Sequence, residues 1–267
     1  MPIHNFFRSH THLTSFDRQH RNPLISKTEK TMSTSIAISS TRGDPTPQIQ
    51  IQIRPPTPTE YQNHLFTHRT ANLINTAYSA PATTLLKPNK LRTNIIQVQT
   101  WLESGTFYLA FACDPASSPS PSFSGDDHHD SSSSQSHPSD ERKSHPIGTI
   151  RLTPLSPRIS EIGILTVDTN FRASGLGRML IAFAEGVAVK NGVERMRIEV
   201  PSPQASSSVG TGVDGQAAGR KRYLRHWYEG LGYEFVGKRT LEETVPGLVE
   251  AFEGQVEILV MEKRLAC

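Results

Sequence analysis

Two tracts with almost no large apolar residues decide what is left of this chain to fold. Residues 114–146, DPASSPSPSFSGDDHHDSSSSQSHPSDERKSHP, are mostly Ser, Pro, Asp and His around the single Phe123, and residues 201–219, PSPQASSSVGTGVDGQAAG, are little richer. Neither can bury enough apolar surface to offset the entropy of ordering its backbone. Both read as disordered insertions, and the polar, aperiodic residues 1–47 read as a disordered leader. The overall apolar share of 35 % is below the globular norm for the same reason. What remains is one interrupted domain, residues 48–265.

Within those blocks the hydrophobic period names the elements. IQIQIRP (49–55) alternates strictly and predicts a strand stopped by Pro55 and Pro56. Residues 59–76 predict a helix with Tyr61, Leu65, Ala71 and Leu73 on one side, and 91–105 a second helix ending at Gly105. TFYLAFAC (106–113) predicts a buried strand. IGTIRLTPL (147–155) and SEIGILTVD (160–168) flank a short turn and predict a hairpin. A helix follows from Leu176 to about Lys190, stopped by Asn191-Gly192, with Leu176, Met179, Leu180, Phe183 and Val187 at helical spacing. Then come a strand over 194–200, a helix over 220–232, and strands over 233–239 and 255–265. This order predicts an α/β domain (α+β type) with a mixed, largely antiparallel sheet and flanking helices.

Several function classes are disfavoured. The net charge of +3 comes from 28 basic and 25 acidic residues, too balanced to argue for nucleic-acid binding. No apolar run approaches the ~20 residues of a membrane span. Asp126, Asp127, His128, His129 and Asp130 sit in a polar tract and read as solvated charge, so no metal is expected. Cys113 and Cys267 are far apart and form no disulfide framework, which suits a reducing, cytoplasmic or nuclear setting. Residues 1–31, rich in Arg, His and Ser, offer a weaker mitochondrial-transit alternative, with Met32 as a second possible start.

FRASGLGRML (171–180) carries the most specific chemistry. Gly175 and Gly177 let a ligand approach the backbone where a helix begins, and Arg172 and Arg178 add charge. A helix start with free N–H groups suits an anion such as a pyrophosphate. No Lys-Ser or Lys-Thr follows, so this is not a P-loop. A Rossmann fingerprint would put a third glycine at Leu180, and its first would lie closer to the strand; Glu194 and Glu199 alone stand near the distance of its ribose-binding acid.

ILTVDTNFRASGLGRMLIAFAE resembles the acetyl-CoA-binding motif of the GNAT N-acetyltransferase superfamily: a strand ending Leu-x-Val, then Arg-x-x-Gly-x-Gly, then a helix. HWYEGLGYEFVG resembles that family's later helix-to-strand signature, with Tyr233 for the usual Phe, and Thr169 stands where a proline is usual. The resemblance covers about residues 48–113 and 147–265. It implies a GNAT-like fold, acetyl-CoA as co-substrate, and direct transfer of acetyl to an amine acceptor, by a monomer or homodimer. It implies that Leu165, Thr166 and Val167 serve the pantetheine arm, the N–H of Leu165 facing the thioester oxygen. Arg172, Ala173, Ser174, Gly175, Leu176, Gly177 and Arg178 would serve the pyrophosphate. Tyr228 matches the tyrosine that protonates the leaving thiolate, and Glu161 the position of a glutamate base. A cofactor-contacting asparagine common in the family is replaced by Lys221, which together with the adjoining insertion keeps a non-catalytic acyl-CoA-binding module as the alternative. The acceptor would be chosen by residues 56–105 and the loop 240–254, whose Glu242, Glu243 and Glu250 suit a cation.

Overall fold

The computed structural model describes residues 49–79, 90–113, 145–203, 224–244, 246–252 and 256–266, together with 33–34 and 87. Most of the tracts 1–47, 114–146 and 201–219 lies outside the described residues, as does the start of the helix expected over 220–232. Ser33–Thr34 are an exception in the leader. They form β1, paired antiparallel with β2 (Gln50–Arg54) through Ser33↔Gln52 and Thr34↔Ile51.

Three helices follow: α1 (Pro58–Gln62), α2 (His64–Ser79) and α3 (Ile95–Glu103). The single helix expected over 59–76 is broken at Asn63, which ends α1 while its Oδ1 accepts from the N–H groups of Leu65 (2.9 Å) and Phe66 (3.2 Å). The buried face of α2 is accordingly Phe66, Thr70, Ala71 and Ile74, while Leu65 is 49 % exposed. Strands β3 (Phe107–Cys113), β4 (Pro146–Ser156) and β5 (Ile159–Val167) come next, the last two as the expected hairpin. α4 runs Leu176–Lys190 and ends on Asn191 and Gly192 (φ +74°). β6 (Arg195–Pro203) continues three residues past the expected end because Pro201, Ser202 and Pro203 pair with β8. α5 (224–229), β7 (Glu234–Thr240), the one-turn α6 (Leu241–Thr244) and β8 (Val256–Arg264) complete the chain.

All eight strands form one sheet in the order β1-β2-β3-β4-β5-β6-β8-β7. Every pairing is antiparallel except β5 with β6, which α4 connects. Each sheet face has its own core, as alternation along the strands requires. α4, Tyr228 and Tyr233 pack on Ile150, Ile162, Met196, Ile198 and Met261. α2 and α3 cover Phe107, Leu109, Phe111 and Ile164 on the other side. No helix among the described residues is long and apolar enough to cross a membrane.

A charged pin fixes the turn after α5 to α4. Glu185 accepts from the Tyr233 hydroxyl (2.9 Å) and from Lys263 at both oxygens (2.9 and 2.8 Å). Burial, helped by the Glu185 carboxylate, pushes the Tyr233 phenol above the usual tyrosine range. Lys263→Met would leave Glu185 without its counter-ion in a largely buried place. We expect a loss of about 2 kcal/mol, read from urea unfolding at pH 7 with an unchanged m-value.

Candidate active site

The site grows out of the far half of β5, where the strand loses both neighbours. Its parallel ladder to β6 runs from Ile159↔Arg195 to Ile162↔Ile198 and stops there, while β6 goes on pairing with β8 as far as Pro203. On the other side, Gly163 pairs with Arg151 and Thr166 with Thr149, so three steps of β5 oppose two of β4. That is a β-bulge, which bends the strand that carries it. Ile164 sits in it at φ +51°, a region a β-branched residue rarely enters. Its carbonyl accepts from the Thr149 hydroxyl at 3.0 Å. Leu165 therefore has no paired residue on either flanking strand, and β5 diverges from β6 to leave a wedge.

The chain after β5 is wound tightly. Asp168 accepts from Asn170 N–H (2.8 Å) to start a single 3-10 turn, Thr169–Phe171. Ala173 takes φ +61°, and Ser174 Oγ donates to the Phe171 carbonyl at 2.6 Å. Gly175, at φ +87°, then begins α4 with no side-chain cap. The first helical N–H groups, those of Gly177 and Arg178, meet no acceptor among the described residues. Arg172 and Arg178 stand exposed beside them, without an ion pair among the described residues. A Cβ on Gly175 would meet nothing within 4 Å, whereas one on Gly177 would touch the Trp227 ring at 3.5 Å. The helix start thus faces open space with its dipole positive end, two free donors and two guanidinium groups, a fitting arrangement for a pyrophosphate.

The expected cofactor residues divide by side chain and backbone. Leu165 and Val167 pack on the α4 side of the sheet. Leu176 is 1 % exposed, so its side chain belongs to the core and only its backbone adjoins the loop. Thr166 is buried, and its hydroxyl has no hydrogen-bond partner among the described residues. Arg220 and Lys221 lie outside the described residues.

Tyr228, on α5, is 8 % exposed and joins the same core as Leu165 and Val167. Its ring meets Trp227 edge-on at 4.9 Å and Tyr233 at 6.0 Å. Its hydroxyl makes no hydrogen bond to any described residue. Burial, with a smaller contribution from Tyr78, pushes its phenol well above the usual range, so it stays protonated at every working pH.

Glu161 lies on the opposite face, which α2 and α3 cover only in part. Burial pushes its carboxyl up to about 7, and Glu199 on β6 pushes the same way, against Arg197, Arg151 and Arg239. Two of those arginines are already paired, Arg197 with Glu262 at 2.7 Å and Arg239 with Glu199 at 3.4 Å. Glu161 itself has no hydrogen bond or ion pair with a described residue. Sequence reasoning missed Arg151 and gave Glu199 a place only as a rejected ribose ligand. The one signal for Arg151 was a charge inside the apolar run IGTIRLTPL. Further along the sheet, a cavity of about 300 Å³ between α2, the start of β4 and the end of β5 is lined by Arg69, Asn72, Thr76, Pro146 and Asp168. No group of side chains suited to a metal ion occurs among the described residues, and Asp126–Asp130 lies outside them.

Residues 101–208 match the model of the acetyltransferase (GNAT) family. No curated protein matches the chain. Among solved structures, an aminoglycoside 6'-N-acetyltransferase complexed with coenzyme A aligns over 80 % of this chain and 97 % of its own, at 12 % identity and a TM-score of 0.49. The aminoglycoside 6'-N-acetyltransferase of Enterococcus faecium gives the same coverage and identity with a TM-score of 0.47. A ribosomal-protein-alanine N-acetyltransferase from Brucella melitensis aligns over 80 % of this chain and 99 % of its own, at 17 % and 0.45. The matched stretch contains the bulged β5, the glycine loop and α4, and Tyr228 lies beyond it. Over residues 101–208 the chain is thus similar to the acetyltransferase (GNAT) family.

Proposed function

We propose that the protein transfers acetyl from acetyl-CoA directly to an amine, with both substrates bound together. The observation that carries this reading is the wedge between β5 and β6, opening beside an uncapped helix start. Acetyl-CoA supplies an acetyl carbon activated as a thioester. The chain's own groups do the rest. The N–H of Leu165, left without a strand partner, suits the oxygen on which negative charge builds during transfer. Glu161 takes a proton from the acceptor amine, which is otherwise protonated at neutral pH if lysine-like (pKa ~10.4). A carboxyl pushed up to about 7 is a stronger base than an ordinary glutamate and is still half ionised at neutral pH. Tyr228 donates a hydrogen bond to the sulfur, which leaves as thiolate and takes up the second proton that the amine nitrogen sheds as the amide forms. Because burial raises its pKa, it steadies a thiolate as a held phenol rather than surrendering its proton outright.

The reading is tested by titrating the full chain with acetyl-CoA, CoA, NADH and ATP, then measuring thiol release with a panel of amines. Micromolar binding of acetyl-CoA and CoA alone, with amine-dependent release, supports it. Binding without release for any amine would favour the non-catalytic module. Tyr228→Phe should lower kcat by about 10- to 100-fold and leave CoA affinity and the pH limb near 7 in place. An unchanged kcat would reduce Tyr228 to a core residue.

A further inference from the structure

Pairing sets Arg151 of β4 directly opposite Gly163 of β5, with Glu161 two residues earlier on the same sheet face. Across β5, Glu199 of β6 follows the last paired residues Ile162↔Ile198 by one position, on the Gly163 side, and lies close enough to act on the Glu161 carboxyl. Gly163 has no side chain, and a Cβ there would meet nothing within 4 Å. The result is a notch floored by glycine, with the Arg151 guanidinium on the β4 side, Glu199 on the β6 side, and Glu161 two residues back along β5 opposite Arg197.

The charges around the notch are incompletely matched. Arg197 and Arg239 are taken by Glu262 and Glu199. Arg151 has no hydrogen bond or ion pair with any described residue. Its guanidinium carbon lies 5.3 Å from the centre of the Trp101 ring, and its Nε is buried without a partner among the described residues. Arg92 is close enough to disfavour the Arg151 charge and is likewise without an ion pair among the described residues. It lies over the Tyr78 ring at 5.4 Å, and its loop is clamped where Asn75 bonds both backbone groups of Thr93 at 3.0 Å. Two guanidinium groups on aromatic faces, neither closed into an ion pair among the described residues, are an unfinished ion pair, because sequestered charges in proteins are normally matched. Glu161 is the nearest opposite charge, yet it and Arg151 do not close to within 4.0 Å.

We propose that the notch over Gly163 binds an amino acid as the acetyl acceptor, its carboxylate on Arg151 and its amine between Glu161 and Glu199. This rests on the acetyl-transfer reading and names its acceptor class. An ammonium and a carboxylate on one carbon fit within a strand spacing of about 4.8 Å, so one small zwitterion over Gly163 offers each charge to the flanking side chains of opposite sign. A bidentate guanidinium–carboxylate contact gives the discrimination.

The test is calorimetric titration of the full chain, with and without CoA, using each of the twenty L-amino acids and its carboxamide. The carboxamide keeps the amine and removes the negative charge. At least one amino acid should bind about 10-fold or more tightly than its amide, a difference of ~1.4 kcal/mol. Arg151→Gln should erase that preference, Arg151→Lys should restore part of it, and CoA affinity should stay unchanged in both, showing intact folding. Amides binding as tightly as acids overturns the proposal, as does no amino acid binding at millimolar concentration. A chain that binds amino acids with this preference but never CoA would instead overturn the acetyl-transfer reading alone.

Discussion

Replacing Glu161 with Gln should cut kcat by about 100-fold or more while leaving CoA affinity intact, the range expected for loss of a general base. In the parent protein, kcat should rise with pH through about 7, because the carboxylate is the active form. That limb should vanish in Glu161→Gln. Burial sets it first, then Glu199 on β6, against Arg197 on β6, Arg151 on β4 and Arg239 on β7. Stability gives an independent reading. A carboxyl whose folded pKa is raised favours the fold fully below its unfolded pKa, and that advantage is lost as pH rises through about 7. Glu161→Gln should therefore gain stability relative to the parent as pH goes from 5 to 8. The gain is about 1–2 kcal/mol once partial solvent contact is allowed for. Urea unfolding at the two pH values measures it. A flat pH–rate profile in the parent would remove Glu161 from the chemistry.

The second large effect is expected at Gly175. Gly175→Glu should weaken CoA by about 100-fold or more, by setting a carboxylate at the helix start and forcing a side chain into the left-handed region. Gly175→Ala separates the two causes. A Cβ there meets nothing within 4 Å among the described residues, so the alanine variant is expected to suffer backbone strain at φ +87°, roughly 1–2 kcal/mol. It should fold with a lower Tm and bind CoA within about 10-fold of the parent. Equal losses in the two variants would show that conformation, and not charge, controls the loop.

Much of this architecture was legible because it is local. The strict alternation of IQIQIRP, the hairpin and the ends of α4 follow from periods and stop signals within a dozen residues. The glycine loop was legible too, since Gly175 adopts the left-handed conformation only glycine enters freely. The errors lie where a distant partner decides. The break at Asn63 rotates the buried face of α2 from Leu65 to Phe66. Pro201 to Pro203 read as linker, yet the ladder to β8 holds them as strand. Arg151 and Glu199 are the sharpest case. They are 48 positions apart and become neighbours of one glycine only through the registers of β4, β5 and β6. No local pattern encodes that.

Ile164 has one more consequence. Its left-handed backbone is costly, yet its side chain is 5 % exposed in the core beneath α2 and α3. Flattening the bulge would turn that side chain to the other face and leave a hole among Phe66, Ile74 and Phe111. Burial of one isoleucine, worth ~2 kcal/mol or more, holds the distortion in place. The bend in β5 is therefore a product of folding itself: the strand keeps its kink against β4 because straightening it would empty the core beneath α2 and α3.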